Sequence, residues 1–144
     1  MLNKTEHQSH SDYKKQIMVQ SNAKTVFNAL TENIHLWWSQ TSESSQKTDG
    51  QFTVTFDNGY WWTFKILEFV PNTKLVWQCI AGEPDFNKEW IGHILHWQIK
   101  EEDSKTTISF HQTGLTPQID CYDVCSRTWD MFITEKLKAF VEKK

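Results

Sequence analysis

Hydropathy alternates from Tyr13 to Gln20, with Ile17 and Val19 on one face and Met18 on the other, and this two-residue period predicts a strand. The period changes at Asn22, a residue suited to an N-cap. Beyond it Ala23, Val26, Phe27 and Leu30 recur at helical spacing and predict a short amphipathic helix to about Glu32. The run IHLWWSQ, from Ile34, reads as a second short helix or turn. TSESSQKTDG, Thr41 to Gly50, is polar and rich in turn formers, and reads as a mobile loop.

The two-residue period then returns. Phe52, Val54 and Phe56 share a face, and Asp57, Asn58 and Gly59 supply a hairpin turn. Further strands are predicted at Tyr60 to Val70, at Leu75 to Ile80 after a Pro71–Asn72 turn, at Trp90 to Lys100 after a loop over Gly82 to Glu89, and at Thr106 to Thr113 after the charged turn EEDSK. Alternation groups Trp62, Phe64 and Ile66; Leu75, Trp77 and Cys79; Ile91, His93, Leu95, Trp97 and Ile99; and Ile108, Phe110 and Gln112.

A long helix closes the chain, with Asp120 as the expected N-cap and Lys138, Lys143 and Lys144 toward its negative end. Tyr122, Cys125, Trp129, Phe132, Ile133 and Phe140 form its apolar stripe, Lys136 falls within that stripe, and Asp123, Arg127, Asp130, Lys138 and Glu142 face away. A stripe of this width needs an apolar surface, and the inner face of the sheet is the one large enough. The expected class is α+β: a curved antiparallel sheet of about six strands wrapped on a long C-terminal helix, with two short helices after the first strand.

Composition narrows the role. A chain of 144 residues suits a single domain, expected over 12–144 behind a flexible segment 1–11. The net charge of −3 is spread over both signs with no basic stripe, which argues against a nucleic-acid partner. No apolar run approaches the ~20 residues of a membrane span, and MLNKTEHQSHSD lacks the apolar middle of a secretory signal, so a cytoplasmic location is expected. Three cysteines, Cys79, Cys121 and Cys125, suit a reducing compartment. Cys121 and Cys125 can share a helix face as a metal or redox pair; the commoner role of Cys as a small buried hydrophobe is preferred, and no metal or cofactor is expected.

No catalytic set emerges. The chain lacks GxSxG, HExxH and a phosphate-cradling glycine loop. His93 and His96 in HILH fall on opposite faces of a strand and cannot share an ion without a bulge. Glu101 and Glu102 lie in a turn as solvated charge. Polar groups at inward positions carry more information, since an unpaired buried polar group costs ~1–3 kcal/mol. His93, Gln112 and Lys136 are those groups. Each also has a plain structural use: a backbone bond, a strand-end cap, and a snorkelling lysine.

The order of elements resembles the helix-grip arrangement of the START and birch-pollen-allergen-like superfamily, SRPBCC, and most closely the branch of activators of the heat-shock-protein-ninety ATPase. VQSNAKTVFNALT at 19–31, WW at 37–38, ILEFVPNTKLVW at 66–77, ISFHQTGL ending at Leu115, and Trp129 carry the resemblance, which spans roughly 13–142. Three departures stand out: Ala23 and Lys24 where that branch often has a proline, Gly50 alone where it has two glycines, and Gln112 where a histidine is common.

The resemblance implies an apolar cavity between sheet and helix. Its expected walls are Phe56, Trp62, Phe64 and Trp77, then Leu95, Trp97 and Phe110, then Trp129 and Phe132, with His93, Gln112 and Lys136 as polar handles. The same aromatics would equally fill a solid core. The leading expectation is non-enzymatic binding of a small, mostly apolar or amphipathic molecule. A cyclase or hydratase with His93 as acid–base group is the alternative, and a chaperone-cofactor role follows only from the branch's name. Trp61, on the face opposite Trp62 with Thr63 and Lys65, is half-exposed in this reading or part of a contact with a protein partner.

Overall fold

The computed structural model describes residues 11–41 and 47–143. Positions 1–10, the middle of the Thr41–Gly50 loop and Lys144, on which some sequence expectations fall, lie outside the described residues. Seven strands form one antiparallel sheet curled into a half-barrel. They are β1 (Tyr13–Val19), β2 (Gln40–Thr41), β3 (Gln51–Thr55), β4 (Trp61–Val70), β5 (Lys74–Glu83), β6 (Ile94–Glu102) and β7 (Lys105–Thr113), in the order β1-β7-β6-β5-β4-β3-β2. The strand beyond the expected six is β2, whose two residues are too few to show a period.

β1 pairs with β7 from Tyr13 opposite Gln112 to Val19 opposite Thr106. The chain must then cross to the far edge of the sheet, and a helix, α1 (Ala23–Ala29), followed by a 3-10 turn at Ile34–Leu36, makes that crossing. Asn22 caps α1 as expected, its Oδ1 accepting from Thr25 N at 2.8 Å. The helix stops at Ala29, short of Glu32, because the Trp37 indole donates to the Ala29 carbonyl at 2.6 Å and satisfies the helix end.

β5 runs on to Glu83, and β6 begins only at Ile94. Between them residues Asp85–Trp90 form a 3-10 helix within the expected loop, and it takes in Trp90, the expected first residue of the strand. Asn87 explains the difference. Its Nδ2 donates to the Trp61 carbonyl and its own carbonyl accepts from Trp62 Nε1, both at 3.0 Å, pinning this segment across β4. Gly82 permits the approach: a Cβ there would lie 2.7 Å from the Asn87 oxygen and from the Trp62 ring. Trp90 is consequently buried and Ile91, expected inward, is half-exposed.

The closing helix, α2, covers Tyr122–Glu142: α-helical over Tyr122–Met131, a π turn over Phe132–Leu137, and α-helical again over Lys138–Glu142. Cys121, not Asp120, is the N-cap, and its N–H is satisfied across the fold by Glu89 Oε1 at 2.9 Å. The buried residues, Cys121, Cys125, Trp129, Ile133, Leu137 and Val141, recur every four positions. Four α-helical steps overshoot a full turn by about 40°, so such a row drifts off the sheet. The wider π turn brings Leu137 and Val141 back onto it. Phe132 is left partly buried and Lys136 exposed, which corrects its expected place within the stripe.

At the start of the sheet, Tyr13 Oη donates to Asp130 Oδ1 at 2.5 Å and Lys15 lies 3.2 Å from the same oxygen, so β1 is tied to α2. The re-phasing of α2 has a direct test. Leu137→Ala should cost ~2–5 kcal/mol in urea unfolding, and Lys136→Ala should stay within about 0.5 kcal/mol of the parent. An unbroken α-helix would bring the two costs together.

Candidate functional site

Sheet and α2 enclose an aromatic interior with Trp38 at its centre. The Trp38 ring lies 5.0 Å from Trp129, 5.9 Å from Phe64, 6.4 Å from Trp62 and 6.5 Å from Trp77. Trp62 stacks on Trp90 at 3.8 Å and 13°, and Trp90 lies nearly parallel to Trp129 at 5.9 Å and 14°. Both members of the tryptophan doublet are buried, because they sit in a turn where consecutive side chains need not alternate.

The interior divides into two parts. Phe64, Trp77, Leu95, Trp97 and Phe110 are buried in solid packing. A pocket of about 230 Å³ opens where the β3–β4 hairpin, the Asp85–Trp90 segment and α2 meet, and thirteen residues line it. Trp38, Trp62, Trp90 and Trp129 form its aromatic walls together with Phe56 and Phe132, and Cys125 lies on the helix side. Asn58, Tyr60, Phe86, Asn87, Val124 and Thr128 complete it. No charged side chain is among them.

A hydrogen-bonded chain stands behind the pocket. Trp129 Nε1 donates to Gln112 Oε1 at 2.8 Å, and Gln112 Nε2 lies 3.0 Å from His93 Nδ1. An indole nitrogen can only donate, so the Gln112 oxygen must face Trp129 and its amide group must face His93. His93 Nδ1 is therefore an acceptor, and the neutral imidazole carries its proton on Nε2. Burial holds the His93 pKa below the ordinary histidine value, against the opposing pull of Asp12 and Glu89. Gly114, at φ +105°, allows the ring to sit here, since a Cβ would come within 2.3 Å of it.

The sequence-selected residues thus separate. Phe56, Trp62, Trp129 and Phe132 border the pocket, and Phe64, Trp77, Leu95, Trp97 and Phe110 lie in the packed interior. His93 and Gln112 are buried together but line no part of the pocket, and Lys136 is on the outside. His96 points to the outer face, where its ring stacks on His111 at 5.2 Å. Among the described residues no cluster of three or more His, Cys, Asp or Glu could hold a metal ion. Trp38 and Trp90 are aromatic wall residues that the two-residue and helical periods did not single out, and Cys125, within the helical stripe, was not among the expected site residues. Trp38 lies in a turn, Trp90 in the 3-10 segment, and Cys125 looked like filler in a helical stripe.

A family model described as activator of Hsp90 ATPase homolog 1-like protein matches residues 20–142. No curated protein sequence matches the chain. Among solved structures, the Aha1 dimer from Colwellia psychrerythraea is 20% identical at a TM-score of 0.76, over 92% of this chain and 96% of that one. Protein MLL2253 from Mesorhizobium loti is 18% identical at 0.76, over 91% and 98%. CalU16 from Micromonospora echinospora is 18% identical at 0.67, over 90% and 75%. At these identities the likeness concerns the fold. Among the described residues no helix is long and apolar enough to cross a membrane.

Two outcomes follow from the buried chain. Gln112→Leu strands both Trp129 Nε1 and His93 Nδ1, and should lower the unfolding free energy by ~1–3 kcal/mol or more. The lowered pKa of His93 means that the unfolded chain takes up its proton first. This contribution is therefore fully present above about pH 6.5 and declines as the pH falls from there toward the lower folded value. His93→Leu should flatten that part of the stability–pH curve, measured by urea titration from pH 8 to pH 5. Parallel curves for parent and variant would contradict the placement of His93.

Proposed function

The chain belongs to the family of activator of Hsp90 ATPase homolog 1-like proteins, and from that premise we propose that it binds a small, neutral, largely planar molecule in the tryptophan-lined pocket. The composition of the wall carries this reading: four of thirteen lining residues are tryptophans and none is charged. A charged ligand would lose its hydration there without a counter-charge, whereas flat apolar rings gain area and stacking. The near-parallel planes of Trp62, Trp90 and Trp129 suit a planar guest.

Size and rim refine the class. A volume of about 230 Å³ is below that of common drug-sized sites, which favours a compound of one or two rings over a long acyl chain. Asn58 and Thr128 are exposed at the mouth and Tyr60 is partly so, offering hydrogen bonds to a hydroxyl or carbonyl at the ligand's edge. His93 and Gln112 act from behind, by holding Trp129. The alternative of a cyclase or hydratase using His93 as acid–base group draws no support from this arrangement, because its Nδ1 is committed to Gln112 and the ring is not on the pocket wall.

The test is a titration with 2-naphthol followed by tryptophan fluorescence and calorimetry, with decanoate as the charged, non-planar comparison. Naphthol should quench saturably and decanoate should not. Thr128→Phe, which places a ring in the mouth from an exposed helix position, should abolish the naphthol signal while unfolding within about 0.5 kcal/mol of the parent. Failure of every neutral one- and two-ring aromatic to bind would overturn the reading.

A further inference from the structure

We propose that Cys125 is a covalent capture site, a thiol that adds to the electrophilic carbon of an α,β-unsaturated carbonyl compound seated among the tryptophans. This rests on the pocket reading above and adds a reaction to it. Cys125 lies one helical turn before Trp129 on α2, and both border the pocket together with Trp90. The other two cysteines are placed differently. Cys79 is fully buried on β5, away from the pocket wall, and burial pushes its thiol up to about 12. Cys121 is fully buried one turn before Cys125, behind it.

The surroundings of Cys125 are unlike those of a filler residue. The Trp90 indole N–H is buried, at 2% exposure, and no nitrogen or oxygen among the described residues accepts from it. It lies beside the sulfurs of Cys121 and Cys125 and lowers the pKa of both. A neutral thiol is a weak acceptor for a buried donor, and a sulfur that gains negative charge is a stronger one. The Cys121 thiol is the largest influence on Cys125 and draws its pKa down, outweighing burial and the Glu89 carboxylate, which act the other way. Cys125 is the member of the pair that borders the pocket, and a lowered pKa favours its thiolate, the nucleophilic form.

The addition balances without another reactant. The Cys125 sulfur forms a bond to the β-carbon, the π pair of the carbon–carbon double bond moves to the α-carbon as an enolate, and the proton that left the thiol ends on that carbon. Nothing is oxidised and no group leaves. Cys121 and Trp90 are positioning residues: they hold charge at the Cys125 sulfur and do not touch the reacting carbon.

The experiment uses the whole chain with N-phenylmaleimide, with N-methylmaleimide as the acceptor lacking a ring, and with N-phenylsuccinimide as the saturated analogue that cannot react. Intact mass and peptide mapping should show one adduct, on Cys125, forming about tenfold or more faster from the phenyl than from the methyl compound relative to their rates with free cysteine. Cys121→Ala and Trp90→Phe, each checked for native near-ultraviolet dichroism, should slow it by about fivefold. Trp90→Phe leaves a smaller aromatic ring in the wall and removes the N–H, so it decides the matter if Cys121 variants unfold. First labelling at Cys79 or Cys121, no adduct on the folded protein, or equal relative rates for the two maleimides would overturn the proposal. Saturable quenching by N-phenylsuccinimide or 2-naphthol alongside any of those results would leave the pocket reading standing, and failure of every neutral one- and two-ring aromatic to quench would remove both.

Discussion

The indole N–H of Trp129 needs an acceptor in a place that water does not reach, and much of the structure is arranged around meeting that need. The acceptor is Gln112 on β7, and using its oxygen commits its amide group to His93. That commitment sets the histidine tautomer, and the ring in turn occupies the space that Gly114 leaves by lacking a side chain. One buried donor therefore links the centre of α2, the end of β7 and the approach to β6. An error in the register of either strand or in the rotation of the helix would leave polar groups unpaired at ~1–3 kcal/mol each.

The same tryptophan separates packing from recognition. On one side it meets Trp97 and Phe110 at 5.9 and 4.5 Å in the solid interior, and on the other it lies beside Trp90 along the pocket wall. The pocket exists because the segment between β5 and β6 is held on β4 by Asn87 and does not continue the sheet toward α2. Tryptophan suits both duties. It fills volume in the core, and at the wall it presents a flat apolar face whose polar nitrogen can be tied back, as Trp62 is to Asn87 and Trp129 is to Gln112.

Family membership and fold do not choose a ligand. Solved structures at 17–20% identity share this architecture over most of the present chain, and one architecture serves unrelated activities through the side chains at its site. The side chains at the site of this chain are an uncharged tryptophan wall and a thiol pair beside a buried indole N–H.

Periodicity along the chain was enough to read most of the architecture. The two-residue alternation from Phe52 to Val54, from Trp62 to Ile66 and from Leu95 to Ile99 records a strand with one dry face, and Asn22 marks a helix start by chemistry that acts within three residues. Burial of Trp129 was legible for the same reason, since a helix stripe reports the presence of an apolar partner. What stayed hidden depends on contacts between elements. A helical wheel drawn at 3.6 residues per turn puts Lys136 inside, and the π turn that puts Leu137 there instead answers to the sheet beneath it. Trp90 looked like the first residue of a strand until Asn87, 26 positions from its partner Trp61, held the segment elsewhere. His93 and Gln112 looked like two separate handles for a ligand, and they proved to be partners of each other and of Trp129, because a buried polar atom is satisfied by whatever the tertiary fold brings within about 3 Å.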